Sequence, residues 1–72
     1  MIQPNTPPIL IRRKEVERIT TLSRSRIYAL MQQDLFPKQI AISSMSVAWI
    51  ESEVQEWIAA RIAEFRNSAK TV

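Results

Sequence analysis

The chain contains no histidine, no cysteine and no glycine. Without histidine it lacks the commonest general base and the commonest metal ligand. Without cysteine it has no disulfide and no thiolate chemistry. Any catalysis would rest on carboxylates, Lys or Tyr alone, on a chain of 72 residues that is too short for a deep cleft. An enzyme is not expected, and neither is a cofactor or a metal. No apolar run approaches the ~20 residues of a membrane span, so no membrane partner is expected. Met1-Ile2-Gln3-Pro4-Asn5-Thr6-Pro7-Pro8 has neither the basic start nor the apolar stretch of a signal peptide. A cytoplasmic protein is the default expectation.

What is present looks globular: 46% hydrophobic and 24% charged residues. One small domain fits, burying roughly 60% of the surface its unfolded chain exposes. Net charge is +3, unevenly spread. From Arg12 to Lys38 seven basic residues face three acidic ones, net +4. From Glu51 to Glu64 four acids face one base, net −3. The first half is therefore a candidate polyanion surface, against the plainer reading of a solvated basic face.

Residues 1–8 hold three of the four prolines and read as a flexible arm. Ile9-Leu10-Ile11 is a short β-branched run, a strand or an extended lead-in. Arg12 to Ile19 carries Val16 and Ile19 at helical spacing, with Arg13 and Glu17 four apart, and predicts a two-turn helix. Thr20-Thr21-Leu22-Ser23 interrupts it. Ser23 is a plausible N-cap for a second helix over about 24–33. There Ile27, Leu30 and Met31 fall within about 100° of arc and face a core. Ser25, Ala29 and Gln32 point away from that core, with Arg24 and Tyr28 on one flank and Arg26 on the other. Asp34 can end the helix in a left-handed conformation, and Pro37 keeps it from resuming.

Gln39-Ile40-Ala41-Ile42 and Val47-Ala48-Trp49-Ile50 read as a small hairpin around Ser43-Ser44-Met45-Ser46. Lacking glycine, it is expected to use a four-residue connection instead of a tight two-residue turn. A third helix is expected from Glu51 or Ser52 to Arg66, with Val54, Trp57, Ile58, Ile62 and Phe65 in one apolar stripe. Trp49 and Trp57 read as core residues, not stacking platforms. Residues 9–66 form the domain, and 67–72 a frayed tail. The fold class is mainly α with a small β-hairpin: a helix-turn-helix, a wing and a C-terminal helix.

Candidate contacts to nucleic acid follow from this order. Arg24 and Arg26, in the first turn of the second helix, can reach a guanine edge or a phosphate. Ser23 is first a cap and second a phosphate donor, and Ser25 points outward with no structural duty. Tyr28 can offer its hydroxyl to a phosphate while its ring packs on the core edge. Arg12, Arg13 and Lys14 crowd the N-terminus of the first helix against its dipole, a mild cost that a nearby polyanion would offset. Lys38 follows the proline at the base of the wing. The alternative for each is a solvated surface side chain.

Arg13-Lys14-Glu15-Val16, Ile19-Thr20, Leu22-Ser23-Arg24-Ser25, Ile27-Tyr28, Phe36-Pro37-Lys38 and Val47-Ala48-Trp49-Ile50-Glu51-Ser52-Glu53-Val54-Gln55-Glu56-Trp57-Ile58 resemble the AlpA-type prophage regulators. That group is related to phage excisionases and to the MerR-like winged helix-turn-helix domains. The resemblance runs over roughly residues 10–65. It implies double-stranded DNA as partner, with the helix starting at Ser23 in the major groove and the hairpin loop against backbone or minor groove. Family members often carry Gly where this chain has Thr21, Asp34 and Ser43. Thr21 is β-branched and resists a left-handed backbone, so the helix-helix turn is expected to differ locally. They usually carry a basic residue near Met45, whereas this wing tip is neutral. Its contacts, from Ser44 and Met45, reduce to a hydroxyl on phosphate or the Met45 side chain against a sugar or base step. Ala29 stands where the family often has Arg or Lys, and Arg26 where it often has Thr, so positive charge is shifted within the helix.

Three functions fit. One is a transcriptional regulator of a prophage or integrated element. A second is an excisionase-type architectural factor that directs a site-specific recombinase, with a phage integrase as partner. The third is a protein-interaction module that binds no DNA. One short reading helix covers few base pairs, so tight binding calls for a homodimer or a cooperative array on repeated sites. No dimer seam is evident in the sequence.

Overall fold

The computed structural model describes residues 7–70, with side chains through Asn67. Most of the expected flexible arm, residues 1–6, and the end of the expected tail, 71–72, lie outside the described residues. The elements in order are β1 (Leu10–Ile11), α1 (Arg13–Thr20), α2 (Arg24–Gln32), β2 (Ile40–Ser43), β3 (Ser46–Ile50) and α3 (Glu51–Lys70). This is the order of a winged helix-turn-helix, with the β2–β3 hairpin as the wing.

The short apolar run before the first helix is a strand. Leu10 pairs with Ile50 and Ile11 with Trp49, antiparallel, so β3 lies between β1 and β2 in a three-stranded sheet. Glu51 N–H donates to the Ile9 carbonyl at 2.7 Å, which ties the start of α3 to the lead-in of β1. The core gathers where the sheet meets the helices. Val16, Ile27, Trp49 and Val54 are fully buried, and Ile11, Leu30, Met31 and Phe36 nearly so. Each of α1, α2 and α3 thus contributes a buried aliphatic face, and β3 contributes the indole at the centre.

The turn between α1 and α2 corrects one expectation. Thr21 does adopt the left-handed conformation, at φ 63° and ψ 13°. Neighbouring bonds hold it there. Its N–H donates to Glu17 O at 2.8 Å, and its hydroxyl donates to Thr20 O. Thr20 Oγ1 donates to Val16 O at 2.7 Å and accepts from Leu22 N–H at 3.2 Å. With its polar groups bonded, the turn closes in the left-handed geometry despite the β-branch. That conformation costs roughly 1–2 kcal/mol for a residue with a Cβ. Part of this returns in Thr21→Gly, less the greater unfolded-state freedom of glycine. We expect a net gain of about 0.5–1 kcal/mol, a rise of about 2–8 °C in thermal midpoint. A fall in the midpoint on thermal denaturation would show that Thr21 is not strained.

Helix α2 starts and stops by side-chain and backbone caps. Ser23 is extended, and its Oγ accepts from Arg26 N–H at 3.1 Å. At the other end Asp34 is left-handed at φ 61°, as expected. Leu35 N–H reaches back to Leu30 O at 2.8 Å and Asp34 N–H to Met31 O at 3.0 Å. These are the two bonds of a Schellman cap, with aspartate where glycine is usual. The chain then drops Phe36 into the core, its ring edge-on to Trp57 with centroids 4.8 Å apart. Two carbonyls of this connection hold indoles: Leu35 O accepts from Trp57 Nε1 at 2.7 Å and Pro37 O from Trp49 Nε1 at 3.1 Å.

The wing corrects a second expectation. Ser43 pairs with Ser46, so its loop is the two-residue turn Ser44-Met45, not a four-residue connection. Neither turn residue takes a positive φ, so this is not one of the primed turns that match strand twist. The mismatch is taken up one step back. Between the Ala41–Val47 and Ser43–Ser46 pairs, β2 holds one extra residue, Ile42, a bulge that bends the strand.

Helix α3 follows β3 without a connecting residue and continues through Lys70, beyond the expected end at Arg66. Its expected stripe divides. Val54 is buried and Trp57 and Ile58 are half-buried against the core. Ile62 and Phe65 are 47% and 81% exposed.

Candidate nucleic-acid interface

Arg24, Ser25 and Arg26 make the first turn of α2, and all three side chains are exposed. The turn owes its position to the Ser23 cap, which uses the backbone of Arg26 and leaves its guanidinium free of structural duty. Behind it Ile27, Leu30 and Met31 anchor the opposite face in the core. The exposed face is therefore a rigid platform offering two guanidiniums and two hydroxyls, Ser23 and Ser25. No acidic residue lies in this first turn. The cations oppose the positive end of the helix dipole, a local excess of positive charge that favours an anion.

Arg24 and Tyr28 share a flank, as expected. The Arg24 guanidinium lies 6.0 Å from the Tyr28 ring centroid. The ring is half-buried and packs edge-on to Trp49, with centroids 6.3 Å apart and planes at 64°. Tyr28 thus links the exposed arginine to the buried indole. Ser25 and Gln32 are exposed, while Ala29 is half-buried, turned further toward the domain than expected.

The remaining candidate cations fall into two groups. Arg12 and Lys14, flanking the start of α1, are exposed, and among the described residues neither has a carboxylate partner. Arg12 occupies the N-cap position with no side-chain cap bond. Arg13 and Lys38 are engaged. Arg13 Nε donates to Glu17 at 2.9 Å, the pair anticipated from their spacing. Lys38 Nζ lies 2.8 Å from Asp34 Oδ1, a pair that spacing could not suggest because Pro37 lies between them and the segment is not helical. Asp34 is a residue that sequence reasoning reads only as a helix terminator. In the structure it also holds the cation at the base of the wing.

The Lys38 hydrogen bond, aided by its charge, keeps the Asp34 carboxyl below its ordinary range. Glu15 is lowered likewise by the hydrogen bond from Arg18, whose guanidinium is raised in return. A depressed carboxyl favours the folded pairing above its unfolded pKa and loses it as pH falls through the folded one. Both pairs are thus complete at neutral pH, and acidification breaks them.

At the wing tip Ser44 and Met45 are exposed, Met45 by 92%. Gln39 to Ile50 contain no charged residue. The wing therefore offers hydroxyls and an unbranched thioether, and Lys38 at its base is already paired. Among the described residues there is no cluster of acidic side chains able to hold a metal, and no helix is long and apolar enough to cross a membrane.

The sequence that builds this arrangement has relatives among known proteins. An uncharacterized protein, ORF88 of Enterobacteria phage P4, is 45% identical over 53 residues, 74% of this chain. The match covers 60% of that relative's length. The family model described as prophage CP4-57 regulatory protein (AlpA) matches residues 9–62, from the lead-in of β1 through the packed part of α3. The chain belongs to the AlpA family.

Proposed function

We propose that this protein is a DNA-binding transcriptional regulator of a prophage or integrated element, with residues 9–66 as the binding unit. The observation that carries the reading is the exposed Arg24-Ser25-Arg26 turn, with no acidic residue in it and fixed by the Ser23 cap and the buried Ile27 face. In this reading α2 lies in the major groove. Arg24 and Arg26 read guanine edges or hold phosphate, and Ser25 accompanies them. Ser23 and Tyr28 offer hydroxyls to the backbone, and Arg12 and Lys14 supply charge from α1. Arg13 and Lys38 reach phosphate only by exchanging a carboxylate for it. Ser44 and Met45 meet the duplex at the wing without ionic contacts.

An excisionase-type architectural role uses the same side chains and differs in partner, a phage integrase. It requires the duplex to bend on binding, which a circular-permutation mobility assay measures. A protein-interaction module without DNA binding is the reading that a failed DNA titration would leave.

The test is a titration of the element's own DNA at several salt concentrations. Arg12 and Lys14 on phosphate give a slope of log K on log salt near −1.8, steepening to about −3.6 if Arg24 and Arg26 also hold phosphate, at about 0.9 per phosphate contact. No binding below micromolar protein at moderate salt refutes the reading. Asp34→Asn sharpens the assay. Asparagine tolerates the left-handed backbone, and its loss of charge releases Lys38. The slope should steepen by about 0.9 if Lys38 then reaches phosphate. An unchanged slope places Lys38 away from the duplex.

A further inference from the structure

We propose that the outer half of α3 is a self-association seam, along which two copies of this chain pair antiparallel. This deepens the DNA-binding reading by naming the surface that would join two reading helices.

Ile58, Ile62 and Phe65 follow one another at intervals of four and three residues and fall within about 60° of arc. Ile58 packs at the core margin. Ile62 and Phe65 continue the same line past it, 47% and 81% exposed. The side chains of Arg61, Ile62, Glu64, Phe65 and Arg66 frame a shallow, solvent-open hollow beside them. A helix carries a continuous apolar line beyond its own domain at a cost in exposed surface, unless another helix covers it.

The charges select the occupant and its direction. Arg61 and Glu64 lie on the same flank of the line, 3.8 Å apart within the chain. Arg66 lies on the other flank. Parallel pairing sets opposite flanks together and would place Arg61 against Arg66 of the second copy. Antiparallel pairing sets like flanks together and places Arg61 against Glu64 of the second copy, twice by symmetry. The surface is thus complementary to itself in one orientation. It shares no residue with the proposed DNA-contacting turn of α2. The seam is short, below the ~1,200 Å² of a standard interface, so the free chain associates weakly. Binding to adjacent sites on one duplex would raise the effective concentration.

Sedimentation equilibrium of the full chain, without DNA, tests the seam, so its failure is separate from that of the DNA reading. We expect a monomer–dimer equilibrium with a Kd on the order of 10–100 μM. Phe65→Asp should raise that Kd at least about tenfold while leaving the thermal midpoint nearly unchanged, since so exposed a ring supports no core. Arg61→Glu should weaken association by setting a second carboxylate against Glu64, and the exchange R61E/E64R should restore it. These charge variants serve as the test if Phe65→Asp fails to fold. A chain that stays monomeric overturns the proposal. So does a dimer indifferent to Phe65→Asp, or one that Arg61→Glu tightens.

Discussion

Replacing Arg24 and Arg26 together with alanine should lower specific DNA affinity about 30- to 20,000-fold, taking roughly 1–3 kcal/mol for each guanidinium that reads a base. The thermal midpoint should stay within about 3 °C of the parent, because neither side chain holds the fold. The cap that starts α2 uses the Arg26 N–H, which alanine keeps. The Arg24 guanidinium sits at 6.0 Å from the Tyr28 ring, the outer limit of a useful cation–π contact, and in solvent. Removing two cations from a helix N-terminus also relieves their opposition to the dipole. Affinity for unrelated DNA should fall less, through lost phosphate neutralisation alone. Mobility shift with specific and competitor duplexes, beside a melting curve, checks all three. A large fall in midpoint would make the arginines structural and end their assignment as readers. Equal losses on specific and unrelated DNA would make them phosphate contacts only.

Trp49→Ala should leave the domain largely unfolded at 37 °C. The indole is fully buried at the meeting of the sheet and the helices, and truncating such a ring costs about 3–5 kcal/mol. A domain of this size has only about 4–11 kcal/mol in total. The loss is also polar, since Trp49 Nε1 holds the Pro37 carbonyl at the base of the wing. Trp49→Phe separates the two contributions. It keeps most of the apolar volume and strands the carbonyl, at about 1–3 kcal/mol, a fall of at least about 5 °C. Trp57→Phe leaves the Leu35 carbonyl in a more exposed setting and should cost less. Far-UV circular dichroism on heating ranks the three. A Trp49→Ala protein that melts with the parent would show that the wing and the helices do not share one core.

The helical parts of this fold are legible in the sequence because periodicity reports a face directly. Ile27, Leu30 and Met31 point inward as their spacing requires, and Ser23 caps as its position requires. The departures have physical causes. Thr21 disfavours a left-handed backbone on its own propensity, but the bonds closing the turn override a single residue's preference. A hairpin tip without glycine favours a longer loop. The twist is accommodated instead by the bulge at Ile42, which no residue at the tip announces. The stripe on α3 reports a face, but spacing cannot say how much of a helix meets the core. At the candidate site the exposure of Arg24 and Arg26 follows from the same arc that buries Ile27. The capture of Lys38 by Asp34 does not, because it depends on how the chain bends around Pro37.

The pairing of Leu10 with Ile50 has a consequence for how the protein comes into being. Contacts between residues so far apart in a short chain close a large loop before they return any enthalpy, and they form late. During synthesis, α1 and α2 leave the ribosome well before β3 does, and until then Trp49 is not there to fill the core. A nascent chain that has only emitted α2 therefore presents Arg24 and Arg26 on an unsupported scaffold. The sheet closes only when the last strand slots between the first and the second.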